Sequence, residues 1–346
     1  MNCRFQAREG GFTLVEMVVA SALLSMMIFA VATLSISGAD AQEYARRVTR
    51  ATEITQDIVD DMRLELVSSV RVFGNDSEGT GNLAVLDLDG APAPLAGLRL
   101  PQIDANGTIQ RDTTSDQITG NSLFFTKLAW SDRFVCTSSR EYMVDVYRWI
   151  YYYQTPEEGG PQVGSSIGLN IVRVLSEPLV DGSAIDSITD PTDQAEVLQH
   201  LHAATPDANG VTHAACQVVW LRGNSASVVG TLREIDPTDG SLSDTPLVVN
   251  GRPTPWRVLR AESTVQGLLS YRHHSIASNY APSTAGVCRY GVLSNTSAGF
   301  PHGFEVQVAG PSSARQVLLH MVVASTNRSG HTAYANMQVV VDARDL

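Results

Sequence analysis

The feature that most constrains the fold of this chain is an apolar segment close to its N-terminus. Residues 12–36 read FTLVEMVVASALLSMMIFAVATLSI and contain a single charged residue, Glu16. About 25 helical residues, at roughly 1.5 Å each, are enough to cross the ~30 Å hydrocarbon layer of a bilayer. Arg4 and Arg8 precede the segment and favour a cytoplasmic N-terminus. The sequence therefore predicts one N-terminal membrane helix.

Glu16 is the unusual residue of this segment. A carboxylate deep in lipid costs roughly 2.5–3.5 kcal/mol, so we expect it to have a partner or to reach the headgroup layer. A secretory signal peptide is the competing interpretation, and Ala39-Asp40-Ala41 offers a small-residue cleavage pattern. However, the apolar segment exceeds the roughly 7–15 residues of such peptides. A membrane-anchoring helix is the better interpretation.

Residues 11–16, with the sequence GFTLVE, resemble the prepilin cleavage motif of type IV pilins and type II secretion pseudopilins. The resemblance implies that a prepilin peptidase cuts after Gly11, removes residues 1–11 as a leader, and methylates the new N-terminal residue, Phe12. It also implies that Glu16 is the family's functional acid. A carboxylate at this position can pair with the α-amino group of a neighbouring subunit, and such a pair would set the register between subunits.

Beyond the apolar segment the chain turns polar but keeps a helical period. Apolar residues recur at steps of three or four from Tyr44 to Phe73. The period predicts that residues 38–73 form the amphipathic half of a helix whose first half, residues 12–37, crosses the membrane. We expect Gly74 to follow the end of this helix. Two helices hinged near Gly38 are the alternative.

Residues 74–346 predict a β-rich head domain with long loops. The fold class is α+β: a long N-terminal helix packed on a large antiparallel β-sheet, as in the pilin-like fold. Two predicted strand pairs, 142–153 with 169–175 and 316–324 with 335–341, resemble the sheet of J-type pseudopilins and W-type minor pilins. The strand candidates, rich in Val, Ile, Tyr or Leu, are 83–88, 122–130, 142–153, 169–175, 217–222, 256–262, 304–308, 316–324 and 335–341.

The charge balance argues against nucleic-acid binding. The chain has 24 basic and 36 acidic residues and a formal net charge of -12. Affinity for phosphates comes mainly from clustered Lys and Arg, which this sequence lacks. We therefore predict no direct nucleic-acid partner.

Four cysteines, Cys3, Cys136, Cys216 and Cys288, show no CxxC spacing. Removal of the leader would leave three. A head outside the cytoplasm can close one disulfide among Cys136, Cys216 and Cys288, but the spacing does not choose the pair. Three buried free thiols are the alternative.

Three further patterns resemble chemical sites in part. Gly164–Gly168 reads GSSIG, but a loop precedes it and a strand follows, which is the wrong context for a nucleophile at Ser166. Glu196 and His200 share a helix face, with His202 and His213 nearby, but no complete zinc ligand set is present, and a polar helix with surface histidines is the preferred interpretation.

Acidic turns at residues 87–90 and 186–193 lack the spacing of an EF-hand. We predict no metal site and no cofactor; Ca²⁺ bound at these turns is the alternative.

The resemblance implies a structural subunit and not an enzyme: a minor pilin or minor pseudopilin. Its implied partners are the prepilin peptidase, other pilins or pseudopilins, the assembly platform and the inner membrane. The head would lie in the periplasm, or outside the cell once assembled into a pilus. The alternative is a membrane-anchored periplasmic binding or adhesion domain with an uncleaved signal anchor. A membrane-tethered hydrolase would need Ser166 or the histidines.

Overall fold

The computed structural model describes residues 13–88, 90–109, 118–156, 169–202, 218–220, 233–234, 249–253, 272–277, 303–327 and 332–345. The chain divides into two compact units, residues 1–49 and residues 50–346. The first unit contains the apolar part of the N-terminal helix. The second contains the end of that helix and the β-rich head.

The predicted long helix is present, and it runs from Leu14 to Val67 without a break in helical structure at Gly38. Its apolar residues are exposed on all sides before residue 37, which is typical of a helix that lies in lipid. From Ala51 onward one face is buried against the sheet, through residues such as Ile58, Met62 and Leu66. The helix is therefore apolar on all sides in its first part and amphipathic in its last part.

The predicted end of the helix at Phe73 was wrong. Ser68 N–H donates to the carbonyl of Glu65 at 3.2 Å and closes the last turn, and residues Ser69–Phe73 form a strand. This SVRVF segment is rich in β-branched valine and pairs antiparallel with a strand of the head. Strand pairing therefore overrides a helical period that continues through Val70 and Phe73.

The strand predicted at residues 83–88 was also largely wrong. A helix occupies Ser77–Val85, and only Leu86–Asp87 is strand. Asp76 caps this helix, since its side chain accepts a hydrogen bond from Gly79 N–H at 2.8 Å. An Asp before Ser77 and Glu78 was the local signal for this helix start.

We expect Asp76→Ala to lower the free energy of unfolding by about 1 kcal/mol, because Gly79 N–H loses its acceptor. Chemical denaturation of the full chain in detergent measures the change. Asp342→Ala, which removes an exposed aspartate from a strand, is the control and should change stability little. Equal effects of the two substitutions would contradict the capping role of Asp76.

In chain order the described elements are α1 (Leu14–Val67), β1 (Ser69–Phe73), α2 (Ser77–Val85), β2 (Leu86–Asp87), β3 (Ile103–Asp104), β4 (Leu123–Val135), β5 (Glu141–Pro156), β6 (Leu169–Ser176), β7 (Leu179–Asp181), α3 (Gly182–Asp186), α4 (Pro191–His202), β8 (Val218–Trp220), β9 (Arg233–Glu234), β10 (Val249–Pro253), β11 (Arg272–Ile276), β12 (Phe304–Ala309), a 3₁₀ turn (Ser312–Ala314), β13 (Arg315–Asn327) and β14 (Thr332–Ala343). Most predicted strands are confirmed. Residues 256–262 lie outside the described residues.

The strands form a large, mostly antiparallel sheet. The long hairpin of β4 and β5 continues through β6 and β11 to β13, which pairs with both β12 and β14. Both strand pairs predicted from the sequence, β5 with β6 and β13 with β14, are present and antiparallel. The α+β fold with a long N-terminal helix is therefore confirmed.

The three largest apolar clusters among the described residues hold the head together. The largest packs the helix face from Ala51 to Leu66 against one face of the sheet. A second, on β1, β4 and β5, is aromatic: Phe73 stacks on Phe124 at 4.6 Å, and Trp149 meets both rings edge-on. The third packs α3 and α4 against the far end of the β4–β5 hairpin. These clusters position the charged groups of the head.

Candidate functional site

The start of α1 is a reciprocal cap formed by Thr13 and Glu16. The carboxylate oxygen Oε2 of Glu16 accepts from the backbone N–H of Thr13 at 2.8 Å and from its hydroxyl at 2.9 Å. In return the Thr13 hydroxyl accepts from the backbone N–H of Glu16 at 3.3 Å. This is the capping-box arrangement, which satisfies backbone donors that a helix start leaves unpaired.

The cap matters because the residues that follow it are suited to lipid. Among the described residues, α1 is the one helix long and apolar enough to cross a membrane. Its hydroxyl groups bond to carbonyls of the preceding turn: Ser21 to Val18 at 2.9 Å and Ser25 to Ser21 at 2.8 Å. These hydroxyl groups are therefore satisfied within the helix, as hydrocarbon surroundings require.

Of the three residues predicted for processing and assembly, Gly11 and Phe12 lie outside the described residues, and their roles stay predictions. Glu16 occupies the third helical position, and both bonds from Thr13 go to one of its two oxygens. Thr13 is a residue that the sequence interpretation missed. The pattern Thr-x-x-Glu ahead of an apolar run, a recognised helix-start signal, would have identified it.

Glu65, in the last turn of α1, is the centre of an ion-pair cluster on the sheet. Arg173 on β6 binds both of its oxygens, with Nε at 3.1 Å from Oε2, and the Tyr152 hydroxyl donates to it. Lys127 lies 3.4 Å away. Burial opposes ionisation, but Arg173, Tyr152 and Lys127 outweigh it and lower the pKa of Glu65. This cluster attaches the helix to three strands.

A second charged cluster joins β1 to the end of the chain. Arg71 pairs with Glu78 of α2 and, at 3.4 Å, with the buried Asp345. Asp345 also accepts from Arg315 at 2.8 Å. Burial alone would lower the pKa of Arg71, but Glu78 and Asp345 raise it. These contacts hold β1 as a strand after the helix ends.

The third cluster joins α4 to the turn between β4 and β5. Asp193, fully buried, accepts from Arg140 at 3.0 Å and from the Tyr142 hydroxyl at 2.8 Å. Glu196 accepts from the backbone N–H of Thr137 at 2.7 Å. The sequence pattern placed Glu196 with nearby histidines as candidate zinc ligands. In the structure Glu196 instead binds the turn between β4 and β5. Arg140 also binds Asp190 at 3.0 Å.

Cys136, Asp193 and Glu196 each place one ligand atom within 4.8 Å of the others. Their surroundings are poor for a metal ion. Asp193 and Glu196 are already hydrogen-bonded to the protein, and Arg140 places positive charge beside them. Burial, with the charges of Asp193 and Glu196, raises the pKa of the Cys136 thiol and disfavours the thiolate that a metal needs.

Of the histidines considered as zinc ligands, His200 has a described environment. His200 lies on α4 as predicted, but it is only partly exposed: its ring stacks on Phe134 at 4.3 Å, and Nε2 lies 2.6 Å from Asp132. Ser166 and His213 lie outside the described residues.

Cys136 is a buried free thiol. Cys216 and Cys288 lie outside the described residues, so a disulfide stays a prediction. Calcium at the acidic turns also stays a prediction, although Arg140 already binds Asp190 and Asp193.

Comparison with known proteins bears on the N-terminus alone. The family model described as the prokaryotic N-terminal methylation motif matches residues 6–32, which include Gly11, Phe12, Thr13 and Glu16. No curated protein and no solved structure matches the chain significantly. The motif and the apolar helix indicate a subunit of the type IV pilin-like kind, processed by prepilin peptidase, associated with other pilins and anchored in the inner membrane.

Proposed function

We propose that this protein is a minor pilin or minor pseudopilin, a structural subunit in the assembly or tip of a type IV pilus or type II secretion pseudopilus. The observation that carries the proposal is the methylation motif at residues 6–32. This motif contains the capped start of α1, whose first part is apolar on all sides. The head lies in the periplasm, or outside the cell after assembly into a pilus. The inner-membrane assembly platform is a further partner.

The cap suggests how one carboxylate serves two purposes. Both Thr13 donors share Oε2 of Glu16, and Oε1 makes no hydrogen bond to any residue in the described part of the chain. Cleavage after Gly11 would create an α-amino group at Phe12. Oε1 of one subunit can then accept from the amine of the next without breaking its own helix cap.

The size of the head supports a minor role. The second unit spans residues 50–346, which is bulky for a subunit repeated along a thin fibre. Apolar residues exposed on α1, such as Leu24, Ile28 and Phe29, would leave lipid for a bundle of helices during assembly. The bundle would then display the head at the fibre or its tip.

Intact-mass measurement of the protein from its native host tests the processing. We expect loss of residues 1–11 and gain of one methyl group on Phe12. A full-length, unmethylated chain would overturn the proposal and favour a membrane-anchored binding or adhesion domain.

Glu16→Gln tests the assembly role. Glutamine also serves in a capping box, so this substitution keeps the helix cap and removes only the charge. We expect normal cleavage but at least about a tenfold loss from sheared filaments, which corresponds to roughly 1.4 kcal/mol or more.

Glu53→Gln, at an exposed site farther along the helix, is the control and should assemble normally. Thr13→Ala, which weakens the cap but keeps the carboxylate, should have the milder effect. Normal assembly of Glu16→Gln would contradict the pairing with a neighbouring amine.

A further inference from the structure

One edge of β5 is only partly used by the sheet. On one side β5 pairs with β4 from Glu141 onward. On the other side it pairs with β6 at Ile150–Pro156 and with the short β7 at Val146 and Tyr147. Residues 141–145 therefore make no strand pair on this second side within the part of the chain that the structure describes.

A cavity of about 710 Å³ lies along this edge. Tyr142 and Val144, which point to one face of the strand, line it together with Met143 and Asp145, which point to the other. A cavity that contacts both sets must lie at the edge of the strand and not over either face. We call this cavity the β5 edge groove. Its volume falls in the roughly 300–1,000 Å³ range of binding pockets.

The opposite wall of the groove is formed by residues 184–189. Backbone groups of this wall are used internally: Ile188 N–H donates to the carbonyl of Ile185 at 3.1 Å, and the Gln194 side chain donates to the same carbonyl. Ser187 bonds to the carbonyl of Ala184 at 2.6 Å. Main-chain pairing in the groove would therefore come from the β5 edge, which needs an extended partner segment.

The charges that line the groove favour a basic partner. Asp145 and Asp181 both line it, and its one cationic residue within the described chain, Arg140, is bound to Asp190 and Asp193. A second copy of this edge is a poor occupant. Antiparallel pairing would bring Glu141 of one copy near Asp145 of the other, and the two carboxylates would repel each other.

Apolar groups complete the groove. Tyr142 and Val144 lie on the face of β5 opposite Asp145, and Ile188 of the other wall packs against the same apolar cluster as Val144. An occupant with alternating basic and apolar side chains fits both properties, since alternate residues of a strand face opposite sides.

We propose that the β5 edge groove binds an extended segment of a partner protein, with alternating basic and apolar residues, by addition of a strand to β5. Main-chain hydrogen bonds to residues 141–145 supply the affinity, and Asp145 and Asp181 select positive charge. The proposal concerns the head and does not depend on cleavage after Gly11 or on filament assembly.

The test uses the full chain in nonionic detergent and three fluorescent ten-residue peptides. One alternates lysine and valine, one alternates glutamate and valine, and the third is the lysine peptide with alternate backbone nitrogens methylated. Fluorescence anisotropy, corrected with empty micelles, should show binding of the lysine peptide. We expect at least about tenfold weaker binding for the other two. Asp145 and Asp181 repel the glutamate peptide, and methylation removes backbone donors that would pair with the β5 edge.

Two variants locate the site. Asp145→Lys combined with Asp181→Lys should weaken binding of the lysine peptide at least about tenfold. Asp342→Lys replaces an exposed aspartate outside the groove and should leave binding unchanged. Bound peptide should slow amide hydrogen exchange in residues 141–145. Absence of binding, equal binding of the N-methylated peptide, an unaffected double variant, or slowed exchange only elsewhere would each overturn the proposal.

Discussion

Replacing Glu65 by glutamine is expected to lower the free energy of unfolding by roughly 3 kcal/mol or more, because the change leaves buried cations without their anion. Glu65 is 14% exposed in its side chain, and Arg173 is 12% exposed. Arg173 and Lys127 would lose their common partner, and the Tyr152 hydroxyl would lose a charged acceptor. Chemical denaturation in detergent, followed by tryptophan fluorescence, measures the change.

The matched control is Glu53→Gln on the same helix. Glu53 pairs with Arg50 at 3.2 Å, but both side chains are more than half exposed. Exposed pairs contribute about 0–1 kcal/mol, so the control should change stability little. Similar losses from Glu65→Gln and Glu53→Gln would show that the Glu65 cluster does not attach the helix to the sheet.

The same residue should give a pH dependence with a definite sign. The pKa of Glu65 is lower in the folded protein than the ~4.3 of an unfolded glutamate. Protons therefore bind more readily to the unfolded state in this range, and stability rises with pH.

The Glu65 contribution should be complete at neutral pH and lost as the pH falls below about 5 toward the folded pKa. Denaturation of wild type and Glu65→Gln across this range should show the two curves converging at low pH. A constant difference between them would contradict the assignment.

Met62→Ala is expected to lower the free energy of unfolding by about 2–5 kcal/mol, since it opens a cavity between α1 and the sheet. Met62 is fully buried and belongs to the largest apolar cluster of the head. Leu64, two residues later on the same helix, is 66% exposed. Leu64→Ala should therefore have little effect in the same denaturation experiment. A loss equal to that of Met62→Ala would mean that burial does not decide the contribution.

The parts of the fold that were predictable depend on local patterns. Apolar composition predicted the first half of α1, and a period of three or four predicted the face that Ile58, Met62 and Leu66 bury. Runs of Val, Ile and Tyr predicted β5, β6, β13 and β14, because these side chains suit a buried pleated surface.

The end of α1 and the start of α2 were not predicted correctly. Val70 and Phe73 fit the helical period as well as the strand that they form. The choice between the two depends on β4, distant in sequence, which offers an edge to pair with, and on Asp345, which binds Arg71 from the far end of the chain. Secondary-structure propensity depends on neighbouring residues and so does not predict contacts with partners this distant in sequence.

The sequence by itself determined the membrane helix, the methylation motif and the position of Glu16, because each depends only on residues within a few turns of one helix. Tertiary structure alone decided that Glu65 binds Arg173, that Asp193 and Glu196 bind the turn between β4 and β5, and that residues 141–145 of β5 lack a second strand partner among the described residues. These depend on which side chains and strand edges meet after folding. Residues distant in sequence meet through the register of the whole sheet, and no local pattern encodes it.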